Sequence, residues 1–106
     1  MAESGDSRWL PLCVFDGLED GVPELVECEG DYFYVTREGH GVRVFDALCP
    51  HHATNLSFAP LQNDEVECPL HGWRFDVTNG ACIRGGRDLV ERKIKVQNNT
   101  VFALMA

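Results

Sequence analysis

A chain of 106 residues with 44% hydrophobic content is long enough for one modest core and too apolar for a disordered segment. It carries 9 basic against 17 acidic residues, a formal charge of −8, which argues against the basic face that nucleic-acid binding demands. No run approaches the ~20 apolar residues of a membrane span, and the start, Met-Ala-Glu-Ser-Gly-Asp-Ser-Arg, has no apolar signal core. A cytoplasmic address with no membrane partner is therefore expected.

In chain order the pattern is one of short β-prone runs cut by turn formers, without sustained helical periodicity. Strands are predicted over Trp9–Val14 and Glu24–Cys28, separated by Asp16-Gly17 and Asp20-Gly21. Glu29-Gly30-Asp31 turns the chain into a strand over Tyr32–Arg37, and Glu38-Gly39-His40-Gly41 turns it again into Val42–Phe45. Near the end, Leu89–Val96 and Val101–Leu104 flank Gln97-Asn98-Asn99-Thr100, a second hairpin signal. Between these β-rich ends, from about Ala47 to Gly86, lies a segment of a different kind. It holds three of the four histidines, three cysteines and Pro50, Pro60 and Pro69, and it reads as an irregular insert built of loops. Strands this short and this spaced favour a sandwich or barrel.

Charge is unevenly placed. Nine acidic residues fall between Met1 and Asp31 with Arg8 alone to offset them, while Arg84, Arg87, Arg92, Lys93 and Lys95 cluster late. This acidic third reads either as a solubilising surface or as a face that steers docking onto a basic partner. Five cysteines fit a disulfide framework poorly, and in a reducing compartment a cysteine cluster leans toward metal.

The insert contains Cys49-Pro50-His51-His52 and, after sixteen residues between His51 and the next cysteine, Cys68-Pro69-Leu70-His71-Gly72-Trp73-Arg74-Phe75. Two loops that each offer one thiolate and one imidazole can together hold a four-ligand metal site, and the prolines stiffen each loop before metal arrives. The residues alone leave two pairings open. Cys49-x-His51 with Cys68-x-x-His71 is one; Cys49-x-x-His52 with Cys68-x-x-His71, a symmetric Cys2His2 zinc site, is the other. Cys13, Cys28 and Cys82 read as small core or half-buried residues, and His40, between glycines, as an exposed turn residue.

The first pairing resembles the Rieske family, and Pro69, His71-Gly72-Trp73, Phe75-Asp76 and Asn79-Gly80 extend the likeness beyond the ligands. The resemblance implies an all-β fold, a Rieske-like sandwich or barrel scaffold with a smaller loop-rich cluster-binding subdomain inserted. Residues 1–106 would form a single Rieske domain, with its cluster-binding part at about 47–86. It also implies one [2Fe–2S] cluster, with Cys49 and Cys68 on one iron and His51 and His71 on the other. Two neutral imidazoles in place of two thiolates make the cluster less negative and raise its potential.

The chain departs from the respiratory members of that family, which carry a disulfide between the two loops. Thr54 and Leu70 stand at the matching positions, so the likeness is to soluble Rieske ferredoxins. Glycine is common in the family where this chain has Ala53. A proline-bearing third loop is also common, where this chain has Ile83-Arg84-Gly85-Gly86, which leaves open what covers the site. High-potential relatives place serine and tyrosine hydroxyls at the positions of Trp73 and Phe75.

The resemblance thus implies a one-electron carrier, not itself an enzyme, running between a flavin-dependent reductase and a terminal oxygenase. The chain has no G-x-G-x-x-G segment for a dinucleotide, and its length leaves no room for a mononuclear iron domain. Two alternatives accompany this reading. One is a Rieske-like small subunit of a larger reductase such as nitrite reductase; the other is a zinc-stabilised interaction module.

Overall fold

The computed structural model describes residues 8–51 and 53–105. The expected all-β fold is observed. Strands β1 (Trp9–Val14), β2 (Glu24–Cys28), β3 (Asp31–Glu38), β4 (Gly41–Asp46) and β12 (Thr100–Leu104) lie within a residue or two of their predicted positions. The turns between them explain the register. Cys28 faces Asp31 across Glu29-Gly30, Glu38 faces Gly41 across Gly39-His40, and Gln97 faces Thr100 across Asn98-Asn99. Asn98 and Asn99 both adopt left-handed backbone, at φ 52° and 62°, as a two-residue hairpin turn of the right twist requires.

The predicted strand over Leu89–Val96 is broken in two. β10 (Glu91–Arg92) pairs with β4, whereas β11 (Ile94–Gln97) pairs with β12. The reason is that the segment serves two sheets. Arg92 is held to Asp46 of β4 by two hydrogen bonds of 2.8 and 2.9 Å, and Lys93 then hands the chain over, its carbonyl accepting from the Leu104 N–H. One sheet has the order β1-β12-β11 and the other β10-β4-β3-β2, every pairing between their strands antiparallel. β1 is an edge strand that shifts register between Pro11 and Cys13, where proline supplies no ladder N–H.

The two sheets enclose one core of Leu18, Phe33, Val35, Val42, Val44, Val101 and Ala103. A second core lies on the other side of β3 and β4. Tyr34 and Phe45, directly opposite each other in the ladder, turn away from their neighbours and pack with Ala47, Cys49, Leu56, Val66, Cys68, Phe75, Val77 and Leu89. The central hairpin is therefore buried on both faces, which is why Tyr32 to Thr36 shows no polar alternation.

The segment from Ala47 to Gly86 is more regular than the loop-built insert expected. It contains β5 (Leu48–Cys49) paired with β6 (Thr54–Asn55), and a three-stranded sheet of β7 (Glu65–Glu67), β8 (Arg74–Asp76) and β9 (Cys82–Arg84). Proline and glycine density hid these strands, because each is only two or three residues long.

Gly80 joins this part to the central hairpin. Its N–H donates to the Asp76 carbonyl, its own carbonyl accepts from Leu89, and its α-carbon sits on the ring of Phe45. A Cβ there would fall 2.6 Å from Cδ1 and 2.9 Å from Cζ of that ring, at a φ of +75°. Gly80→Ala should therefore destabilise the protein by about 3 kcal/mol, the combined cost of a left-handed alanine and an overpacked core. Denaturant unfolding monitored by far-UV circular dichroism measures it, and a change below 1 kcal/mol would show that the Phe45 ring yields.

Candidate metal centre

Two loops reach out of the second core, and they share a construction. The first lies between β5 and β6 and begins at Cys49; the second lies between β7 and β8 and begins at Cys68. In each, the cysteine carbonyl accepts a hydrogen bond from the N–H four residues on: Ala53 at 2.6 Å and Gly72 at 3.0 Å. In each, proline follows the cysteine, and the residue closing the turn is left-handed, Ala53 at φ 53° and Gly72 at φ 73°. The second loop is closed further by the Cys68 N–H, which donates to the Trp73 carbonyl at 2.7 Å.

This construction points the four candidate residues in two directions. Cys49 and Cys68 belong to the second core and are 0% and 1% exposed, so their sulfurs sit in a dry, low-dielectric setting. His51 and His71 stand exposed at the loop tips, and their rings meet edge to face with centroids 4.9 Å apart. Residues twenty apart in sequence are thereby brought together. Among the described residues, no three His, Cys, Asp or Glu side chains gather around one ion position. His52, the neighbour that the zinc pairing would use, lies outside the described residues.

The donor set is chemically suited to a two-iron, two-sulfide cluster. Buried thiols supply the soft anionic ligands, and an adjacent pair of imidazoles supplies the neutral ones. The surroundings support the loops. Tyr34 donates its buried hydroxyl to the Leu56 carbonyl, 3.3 Å away, just beyond the first loop. Burial pushes the Tyr34 phenol well above its ordinary range, so it stays a donor at all working pH values. Arg84 lies over the second loop, its Nη2 placed 2.9 Å from where a Gly72 Cβ would be.

The remaining cysteines behave as the sequence suggested. Cys13, Cys28 and Cys82 are half-buried. Burial, then the carboxylate of Glu24, pushes the Cys13 thiol up; burial, then Glu29, Glu27 and Asp31, does the same to Cys28. Protonated thiols are poor ligands. His40 is exposed in the β3–β4 turn, as expected.

Two features escaped the sequence. The first is that Gly85-Gly86 lies under Trp73, whose indole in turn stacks on His51. The paired glycines were the available signal, since adjacent glycines after a strand often mark close approach of another group to the backbone. The second is the Tyr34 hydroxyl bond, for which the signal was a tyrosine in a strand with no polar alternation.

With fold and site described, the class is clear. The Rieske [2Fe-2S] domain family matches residues 8–96, and the chain belongs to that family. Its cofactor is a Rieske-type [2Fe–2S] cluster. The chain is 40% identical over 77 residues to cholesterol 7-desaturase nvd 1 of Ciona intestinalis, covering 71% of this chain but only 16% of the desaturase. It is 29% identical over 100 residues to the ferredoxin component of the naphthalene 1,2-dioxygenase/salicylate 5-hydroxylase systems of a Ralstonia species, covering 92% of this chain and 96% of that one. Among known structures, the ferredoxin of carbazole 1,9a-dioxygenase from Nocardioides aromaticivorans superposes with a TM-score of 0.62 at 28% identity, over 90% of this chain and 95% of that one. A chain in a complex of reduced oxygenase and oxidized ferredoxin of carbazole 1,9a-dioxygenase matches with a TM-score of 0.61 at 26% identity, over 90% and 91%. The family thus includes both small ferredoxin components and large oxygenase subunits. Among the described residues no helix is long and apolar enough to cross a membrane.

Ala53 holds a left-handed conformation that costs an alanine about 1–2 kcal/mol. Ala53→Gly should relieve most of it, less the greater chain entropy lost by glycine, for a net gain of about 0.5 kcal/mol. Thermal unfolding should show a raised midpoint; a lowered one would mean that the Ala53 methyl group contributes packing that outweighs the strain.

Proposed function

We propose that Cys49 and Cys68 bind one iron of the cluster and His51 and His71 the other, and that the protein works as a one-electron carrier between a flavin-dependent reductase and a terminal oxygenase. The observation that carries this reading is the split of the site. Two fully buried cysteines stand behind two exposed imidazoles whose rings are 4.9 Å apart. When bound, the cluster supplies a single-electron couple. The chain's own residues then do the rest: Cys49 and Cys68 keep water from the sulfur side, and His51 and His71 form the side nearest a docked partner.

The likeness to ferredoxin components over nearly the whole chain supports the carrier role, and the oxygenase–ferredoxin complex of carbazole dioxygenase supports an oxygenase as one partner. The reductase partner, the absence of turnover by this chain alone and a cytoplasmic location belong to the same reading. So does one Rieske domain over residues 1–106 with its cluster-binding part at about 47–86. The exposed carboxylates of Asp16, Glu19, Asp20, Glu24, Glu27, Glu29 and Asp31 suit recognition of a basic partner surface.

His51→Ala should abolish the cluster, while His52→Ala should leave a brown, reducible protein. Iron and acid-labile sulfide analysis of both variants decides between them. The opposite result would overturn the ligand assignment and favour the symmetric zinc pairing.

The reduction potential should lie near the bottom of the Rieske range of about −150 to +300 mV. Hydroxyl donors to cluster sulfurs raise such potentials, and Trp73 and Phe75 supply none. Phe75 is fully buried in the core that contains both cysteines, so the site of the missing hydroxyl is a dry one. Protein-film voltammetry near neutral pH should give a midpoint below zero; a value well above it counts against the oxygenase-ferredoxin reading.

A further inference from the structure

Trp73 touches both loops of the candidate centre and the segment that follows β9. Its backbone carbonyl accepts the Cys68 N–H, which anchors it to the second loop. Its indole lies flat on the imidazole of His51 in the first loop, with centroids 4.5 Å apart and planes within 9° of parallel. The same indole rests on the backbone of the third segment. A Cβ on Gly85 would fall 2.7 Å from Cε3 and 2.8 Å from Cγ of Trp73, and one on Gly86 would fall 3.4 Å from Cη2. The ring of His71 meets that of His51 edge to face, at 64°.

This geometry is more specific than apolar packing under a loop. An imidazole that binds a metal through one nitrogen is free to rotate about that bond unless something holds its plane. The plane matters because the π-donation of the ring to the metal depends on it, and neighbouring groups that orient a ligand tune the metal it holds. A flat indole, itself seated where only glycine leaves room, can hold one plane and few others.

We propose that Trp73 is a positioning residue for the cluster. It clamps the plane of the His51 imidazole by parallel stacking, and Gly85-Gly86 is the seat that keeps the indole in place. The proposal rests on the reading of His51 as a ligand. It also gives the segment after β9 a part in covering the site, since Gly85-Gly86 acts through the indole it carries.

The test compares Trp73→Phe with Trp73→Leu in the purified holoprotein. Both substitutions keep an apolar side chain at a half-buried position, but only phenylalanine can stack in parallel. Three readouts follow the clamp: the g-values and linewidths of the reduced protein in electron paramagnetic resonance, the midpoint potential, and the rate of bleaching by an iron chelator. The phenylalanine variant should retain the wild-type g-values and midpoint. The leucine variant should keep two irons and two sulfides, yet show shifted and broadened g-values and bleach about tenfold faster, the range expected when an outer support of a metal ligand is lost. Gly85→Ala, which pushes the seat against the indole, should shift the spectrum in the same way without touching Trp73 itself. If leucine and phenylalanine variants share the wild-type spectrum, or if both depart from it alike, the clamp is wrong and the indole is filler. A His51→Ala variant that keeps its full iron and sulfide would instead sink the ligand reading, separately from the clamp.

Discussion

The burial of the β3–β4 hairpin on both faces is the constraint from which the rest of the molecule follows. Phe33, Val35, Val42 and Val44 close the sandwich on one side, and Tyr34 and Phe45 form the floor of the metal-binding part on the other. A sheet used from both sides cannot shift register by one residue without exchanging its two cores. The position of the second core, and of the two cysteines within it, is therefore tied to the pairing of Tyr34 with Phe45. The Asp46–Arg92 pair reinforces this wall. Its side chains are 10% and 29% exposed, and the guanidinium engages both carboxylate oxygens. Partial exposure weakens the pair relative to a fully buried one, so about 1–2 kcal/mol is a reasonable contribution.

On that floor, two loops of the same design do different things with each residue. Proline after each cysteine limits the unfolded loop, and the bond from the fourth N–H back to the cysteine carbonyl closes the loop on its own cysteine. Sulfurs end up where water is excluded and imidazoles where it is not. For a redox centre this division is useful in itself. A buried sulfur side resists hydrolysis and loss of metal, and an exposed imidazole side shortens the distance to any docked partner.

Electrostatics acts on a longer scale than these contacts. The described acidic residues between Arg8 and Asp31 are exposed, and the single cation of that stretch, Arg8, pairs with Glu29 at 2.9 Å on the surface. A charge of −8 on so small a protein keeps copies apart, over a Debye length of about 8 Å at physiological salt. The basic residues late in the chain are partly consumed within the fold. Arg92 serves Asp46, and Lys95 lies over the rings of Trp9 and Phe102.

Much of this was legible before any coordinates. The strands at both ends announced themselves through β-branched and aromatic runs between turn formers, because hairpin turns depend on one or two local residues such as Asn98-Asn99 or Glu29-Gly30. The spacing of Cys49, His51, Cys68 and His71, the proposed ligands, was visible because metal ligation restricts residue type more severely than a packed core does. The strands of the 47–86 segment were not legible, since two- or three-residue strands are set by their partners and not by their own pattern. The split of Leu89–Val96 between two sheets was hidden for a similar reason: its cause is Asp46, some forty-six residues away. The stacking of Trp73 on His51 and its seat on Gly85-Gly86 were decided by tertiary structure alone, because three segments distant in sequence must first meet before an indole has a face to lie on.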